Sequence, residues 1–306
     1  MCVPWGNCRV LWGLALAAQS SSTTVRCILT TELDLAYFRS LADFDAANHR
    51  VQDRLSHLRS GEDVLRFFSH YASWNGRFAN GVAALASLIG DSRTYFQEAG
   101  FARAAADRSN YVASFIFDAA RDEYDDHINP MRDTHRCMAQ AALLSMAQFY
   151  GLGDTVLNEP DPTELREVSD AVMFGYRGHH QTGGGVVGEI FAGIGYHLGS
   201  ELLADREFSL IDEHMRGQRQ ALVQHLLHST VQLAGGKHRC YAWVGVHSGH
   251  GGGVEADHFE FAVAGAKAGL QFLVGATQAD AIAALVTGFR AFAEDHRKFF
   301  LIGMNT

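Results

Sequence analysis

Ile282-Ala-Ala-Leu-Val-Thr-Gly-Phe-Arg-Ala-Phe-Ala293 places apolar side chains at 282, 285, 286, 289, 292 and 293. The spacing repeats every roughly 3.6 residues, one face of an α-helix, and lacks the alternation a half-buried strand needs. The same period recurs upstream. Thr31 can cap a helix running through Leu33, Tyr37, Leu41 and Phe44 towards Leu58. Ser60-Gly-Glu-Asp63 is a helix start, an N-cap followed by acids in the first turn, and Leu65, Phe68, Tyr71 and Ala72 come after it. Ser92 can open a third helix through Phe101 and Tyr111 to Phe117. A fourth runs from Asp133-Thr134 through Met138, Ala142 and Phe149 to Gly151. Asn158-Glu-Pro-Asp-Pro162 reads as a linker, with Asp161 or Thr163 capping the next helix. Cys240-Tyr-Ala-Trp-Val-Gly-Val246 could pass for a strand, but helical patterns flank it. Only 4 prolines in 306 residues leave few obligatory helix breaks. The expectation is an all-α bundle: a leader over 1–30, then a single helical domain over 31–306.

Composition narrows the function classes. With 25 basic against 34 acidic residues the net charge is −9, which argues against a phosphate-binding surface and hence against nucleic acid. No apolar run reaches the roughly 18 to 20 residues that span a bilayer. Arg9 followed by Val10-Leu-Trp-Gly-Leu-Ala-Leu-Ala-Ala18 has the outline of a weak secretory signal. A disordered leader or a misplaced start accounts for it equally simply, and is the reading adopted. Cys2, Cys8, Cys27, Cys137 and Cys240 are odd in number and contain no CxxC pair, so a reducing cytoplasm is expected.

The 16 histidines matter by placement, since imidazole is the commonest metal ligand. Three places combine them with acids. Phe115 to His127 ends in Arg121-Asp-Glu-Tyr-Asp-Asp-His127, and His135 comes after a short loop. Asp122, Asp125 and Asp126 suit a solvated helix end, whereas Glu123 and His135 form a candidate ligand pair. Glu201 comes after ten residues without another acid, has His197 four positions earlier on the same face, and lies among Gly193, Gly195 and Gly199, which allow close helix approach. Its bland alternative is a surface pair with Arg206. The third place is Trp243-Val-Gly-Val-His247-Ser-Gly-His250-Gly-Gly-Gly-Val-Glu255-Ala-Asp-His258. Glu255 and His258 are three apart, so on a helix both reach one point, the spacing used by carboxylate-bridged di-iron sites in helical bundles. The glycines can let His247 or His250 fold back onto the same ion. Carboxylates with a few imidazoles suit iron or manganese rather than a thiolate-bound metal.

Other signals carry less. Gly183-Gly-Gly-Val-Val-Gly188 satisfies GxGxxG but no strand precedes it, so it reads as a loop feeding a helix. His250-Gly-Gly-Gly253 resembles an oxyanion-hole loop, yet the chain has no GxSxG. His179, His180, His225 and His228 suit surface or packing roles. Phe67, Phe68, Tyr71 and Trp74 suit the core.

As a set, the three places resemble the haem-oxygenase-like di-metal oxidase and oxygenase superfamily, over roughly residues 60 to 270. That resemblance implies a bundle of about seven core helices holding two irons. Glu123 and His135 match its first ligand pair and Glu201 its middle glutamate. Glu255 and His258 match the end of a late His-x3-Asp/Glu-x2-His motif, whose first histidine is His247 or His250. The spacing departs from the pattern, so His127 is an alternate to His135 and Glu207 to Glu201. The resemblance implies an O2-dependent enzyme with two Fe(II)/Fe(III) ions and O2 as co-substrate. Its substrate would be a small aliphatic amino acid, undergoing desaturation or C–N cyclisation in specialised-metabolite biosynthesis. N-oxygenation and oxidative C–C cleavage are the neighbouring outcomes. An external electron donor and a homodimer would accompany it, and Arg121 or Arg132 would meet a substrate carboxylate. A metal-free, cofactor-using enzyme and a non-catalytic binding protein are the competing readings on the same fold. Neither has a physical need for Glu201 and the Glu255/His258 pair to be buried together.

Overall fold

The computed structural model describes residues 33–125, 133–153, 155–180, 183–233, 236–248, 254–302 and 304. Within them the chain is an all-α bundle with one short hairpin. The helices are α1 (Leu35–Arg39), α2 (Phe44–Ser56), α3 (Gly61–Asn75), α4 (Phe78–Asp91), α5 (Arg103–Ala106), α6 (Ser109–Tyr124) and α7 (His135–Tyr150). They continue as α8 (Thr163–Tyr176), α9 (Gly185–Gln218), α10 (Gln220–His228), α11 (Ala242–His247), α12 (Val254–Phe272) and α13 (Gln278–Leu301). The leader over 1–30, His127, Arg132, His250 and the side chain of Glu255 lie outside the described residues.

Several boundaries arise from local chemistry. The Ser60 hydroxyl accepts from the Asp63 amide while Asp63 accepts from the Ser60 amide, a reciprocal cap that starts α3. Thr134 accepts from the Cys137 amide and starts α7, which stops at Gly151 in the left-handed region. Thr277 accepts from the Asp280 amide at the start of α13.

Four expectations are corrected. The first helix is not continuous to Leu58: it breaks after Arg39, and Asp43 caps a new helix through the Ala46 amide. Ser92 ends α4 instead of opening a helix. The chain then crosses through bridges of Phe96 to Leu273 and Gln97 to Asp107 before α6 begins at Ser109. A hairpin that the all-α reading does not anticipate precedes Cys240–Val246: β1 (Thr230–Leu233) pairs antiparallel with β2 (Gly236–Arg239), whereas Ala242–His247 is helical, in keeping with its helical flanks. Pro162 precedes α8 with no side-chain cap, so neither Asp161 nor Thr163 serves as one.

The spine of the bundle is α9, 34 residues and about 50 Å long. Every residue from Phe191 to Leu203 is buried, as befits a helix surrounded on all sides. Its main partner is α13, and two glycines set their distance. A Cβ at Gly195 would overlap the Leu285 carbonyl, and one at Gly288 the Ala192 carbonyl. The hydrophobic core runs from Leu33 to Phe300 and includes Phe67, Phe68, Tyr71 and Trp74. Polar groups inside such a core are costly unless paired, so those that α9 carries mark the places to look.

Candidate metal centre

Five helices bring imidazoles and carboxylates to one region. The last turn of α6 supplies Asp122 and Glu123, the first residue of α7 is His135, α9 carries His197 and Glu201, α11 ends in His247, and α12 supplies His258. Glu123 Oε2 is 3.0 Å from His135 Nδ1. The His135 and His247 rings meet edge to face at 4.4 Å. His247 Nδ1 faces the Trp243 carbonyl at 2.6 Å, and its ring stacks on Phe208 at 4.3 Å. A nitrogen facing a carbonyl must donate, so the neutral ring keeps its lone pair on Nε2. This backbone bond is the kind that fixes a metal-ligating histidine's tautomer.

Glu201 and His258 form the second half. His258 Nδ1 is 3.5 Å from Glu201 Oε2, and its Nε2 is 3.0 Å from Asp122 Oδ2. Glu201 Oε1 is also 3.2 Å from His197 Nδ1, and the Tyr176 hydroxyl lies 2.9 Å from Ser200 Oγ beside them. Glu201, His247 and His258 expose only 9, 6 and 7 % of their surface, so water alone does not carry their charge. Glu201 does not pair with Arg206, which instead meets Glu213 at 3.0 Å on the surface.

Asp122, expected at a solvated helix end, is instead a member of the cluster. Consecutive residues on a helix point about 100° apart, so Asp122 and Glu123 reach two different histidines. That adjacency is the signal the sequence offers. Glu207, the alternate to Glu201, lies about 240° further round α9 and meets Tyr71 and His296 instead.

The donor set fits divalent cations in kind: acids and imidazoles, with three carboxylates gathered in a mostly buried region. Such acids need positive charge nearby, from protonated imidazoles or from metal ions. Among the described residues no group of three or more His, Cys, Asp or Glu side chains is arranged to hold an ion. The pairs Glu123 with His135 and Glu201 with His258 each offer part of a shell, and the anticipated donors, His250 and the Glu255 side chain, fall outside the described residues.

A cavity of about 400 Å³ opens beside the cluster. Glu123, His135 and Trp243 line it, together with Asn75, Arg136 and Arg77. Arg136 Nη1 donates to the Ala72 carbonyl at 2.6 Å, and Asn75 Nδ2 is buried without a hydrogen-bond partner. Arg121, an expected carboxylate holder, is exposed and turned to Asp118 and Asp122 at 3.6 and 3.3 Å. Arg136 and Arg77 are the arginines that line the cavity.

Fold and site together define a helical bundle with an imidazole–carboxylate cluster at the side of an open cavity. No protein-family model, no curated protein and no solved structure matches the chain.

Proposed function

We propose that the chain is a non-haem di-iron, O2-dependent oxidase or oxygenase acting on a small aliphatic amino acid, on the haem-oxygenase-like type of bundle. The observation that carries this reading is the convergence of Glu123, His135, His247, Glu201 and His258 from five helices beside one cavity. Two irons, when bound, supply the redox chemistry that lets dioxygen oxidise an unactivated C–H or an amine. Glu123, His135 and His247 would hold one ion and Glu201 with His258 the other, joined by Glu255 and His250.

The chain's own residues then do defined work. Thr134 caps α7 and so fixes the direction from which His135 enters. The Trp243 carbonyl fixes the His247 tautomer. Asp122, on the far nitrogen of His258 from Glu201, sets that ring's orientation. A cavity of about 400 Å³ suits a small ligand. The remaining Arg136 N–H donors and the Asn75 amide would bind its carboxylate. Trp243 forms an apolar wall.

Anaerobic Fe(II) titration followed by oxygen tests the reading. Expected are two irons per chain and a transient visible absorption on oxygenation, with iron lost in His258→Ala. Fewer than one iron per chain and no transient would overturn it. Mass spectrometry of products from a panel of aliphatic amino acids then identifies the substrate.

A further inference from the structure

Glu207 exposes 3 % of its surface and sits on a different face of α9 from Glu201, about 120° round the helix. The Tyr71 hydroxyl donates to its Oε1, and His296 Nε2 is 2.8 Å from its Oε2. His296 Nδ1 is buried with no hydrogen-bond partner. The nitrogen that faces the Glu207 carboxylate is thus Nε2, which donates to it. Glu207 is therefore a buried carboxyl group held by one phenol and one imidazole.

The Tyr71 ring is in continuous aromatic contact with the cavity wall. Trp243 and Phe208 both lie 5.4 Å from it. Trp243 lines the cavity and Phe208 stacks on His247. Two other buried phenols also donate to carboxylates, but in different surroundings. Tyr241 donates to Asp212 at 2.5 Å, while Arg216 grips both Asp212 oxygens at 2.9 and 2.8 Å and lies over the Tyr241 ring at 5.4 Å. Tyr196 donates to Asp295 at 3.1 Å, with Lys298 at 3.4 Å and His180 at 3.8 Å from the same carboxyl. A neighbouring cation lowers the basicity of the acceptor and opposes loss of an electron from the ring. Among the described residues Glu207 meets neither arginine nor lysine.

We propose that Tyr71 is a one-electron redox site coupled to Glu207 as proton acceptor. An outer-sphere oxidant of the metal-complex class at the Trp243 wall takes one electron from the Tyr71 phenol and is itself reduced by one electron. The phenolic O–H bond breaks, an O–H bond forms on Glu207, and Tyr71 becomes a neutral radical. One electron from an external reductant such as ascorbate reverses both transfers along the same hydrogen bond. The proton transfer discharges a buried carboxylate and leaves no charge on the phenol, so a low-dielectric core favours it. This role rests on the oxygen chemistry proposed above, for which the pair drains stray one-electron oxidising equivalents.

The test uses metal-free protein, so its outcome is separate from that of the iron titration. The background carries Tyr111→Phe and Tyr124→Phe, which remove exposed competing phenols. Photogenerated tris(bipyridyl)ruthenium(III) supplies the oxidant, and freeze-quenched EPR reads the radical. The expected neutral tyrosyl signal disappears in Tyr71→Phe and falls about tenfold or more in Glu207→Gln, where the charge-assisted acceptor is lost. It survives Tyr196→Phe and Tyr241→Phe. A signal that persists in Tyr71→Phe, or is unchanged in Glu207→Gln, overturns the proposal. Thermal melting checks that each variant folds, and Glu207→Asp, which keeps an acceptor at greater distance, gives a slower radical if the Gln variant does not fold.

Discussion

Glu201→Gln separates a metal ligand from a structural ion-pair partner, because the first role shows in the response to metal and the second in the metal-free melt. Glu201 Oε2 lies 3.5 Å from His258 Nδ1. At an effective dielectric of about 20, attraction to a protonated ring is worth about 5 kcal/mol. Withdrawing a carboxylate from water costs several kcal/mol, so the net value of the pair is near zero. Asp122, 3.0 Å from Nε2 of the same ring, remains to pair with it in the variant. The metal-free Glu201→Gln protein should therefore melt within about 2 °C of the parent. Metal binding changes the comparison. At a free-metal concentration of 100 Kd the parent gains about 2.7 kcal/mol. In a domain of this size that raises the melting temperature by about 5 °C. Loss of one ligand weakens binding by at least about tenfold to a hundredfold, which cuts the rise at the same metal concentration to about 1 to 3 °C. Differential scanning fluorimetry with anaerobic Fe(II), and with Mn(II) as a redox-silent control, reads both quantities. A variant that melts far below the parent without metal, while neither protein responds to Fe(II) or Mn(II), would refute the metal role and leave Glu201 a structural partner of His197 and His258.

Three further outcomes rest on named contacts. Arg136→Gln removes a guanidinium from the cavity wall and should weaken amino-acid binding by about tenfold to a hundredfold, the worth of a charge-assisted hydrogen bond, while iron stoichiometry is unchanged; calorimetric affinities equal to the parent's would count against the assignment. Burial raises the Asp295 carboxyl above its usual 3.8, opposed by Lys298 and His180. A raised folded value means that its stabilising contribution is full below pH 3.8 and is lost as pH climbs through the raised value. Asp295→Asn should therefore flatten the pH–stability curve above pH 3.8 and leave the neutral protein no less stable. Urea melts across that range check it, and a parent-like slope would contradict the burial argument. Gly288→Ala would press a methyl on the Ala192 carbonyl and should cost about 1 to 3 kcal/mol in urea unfolding; an unchanged midpoint would mean that α9 and α13 do not pack this closely.

The helical class is legible because it rests on period and caps, which are local. Ser60, Thr134 and Gly151 mark the ends of α3 and α7 as the sequence suggests. The failures lie where nonlocal contacts decide. Nothing in the apolar pattern from Ser92 to Phe117 says that Phe96 bridges to Leu273, nor that this detour ends the helix. The hairpin at Thr230–Arg239 is short, and its register shows no alternation long enough to read. Within the site, Glu123 with His135 and Glu201 with His258 stand out as acids that an apolar context makes expensive. Asp122 escapes the same criterion, since a helix-end acid is cheap when solvated. Only the position of α12 against α6 turns it inward. Arg136 escapes for a similar reason: an arginine in the first turn of a helix reads as surface until Gly76 lets its guanidinium lie against the end of α3.

One helix explains why the candidate centre lies where it does. Around α9, His197, Glu201 and Phe208 fall within about 40° of one another, whereas Tyr196 and Glu207 point about 100° away. The second face looks at α13 and α3. There Asp295 and Glu207 are sealed among Tyr196, His296, Tyr71 and the surrounding rings; Tyr196 and Lys298 answer Asp295, and Tyr71 and His296 answer Glu207. A carboxylate so answered is a fixed charge with its acceptors committed to donors that do not leave. On the first face the partners are different in kind. His258 stands between Glu201 and Asp122, and His135 between Glu123 and His247, next to a cavity open to solvent. Imidazoles can release their protons near neutral pH, and once they do the same acids face lone pairs instead of hydrogens. Carboxylates ringed by deprotonated imidazoles are stable only if a cation replaces those protons. The acid on that face of α9 is linked through His258 and Asp122 to the end of α6, where Glu123 lines the cavity that a small molecule can reach.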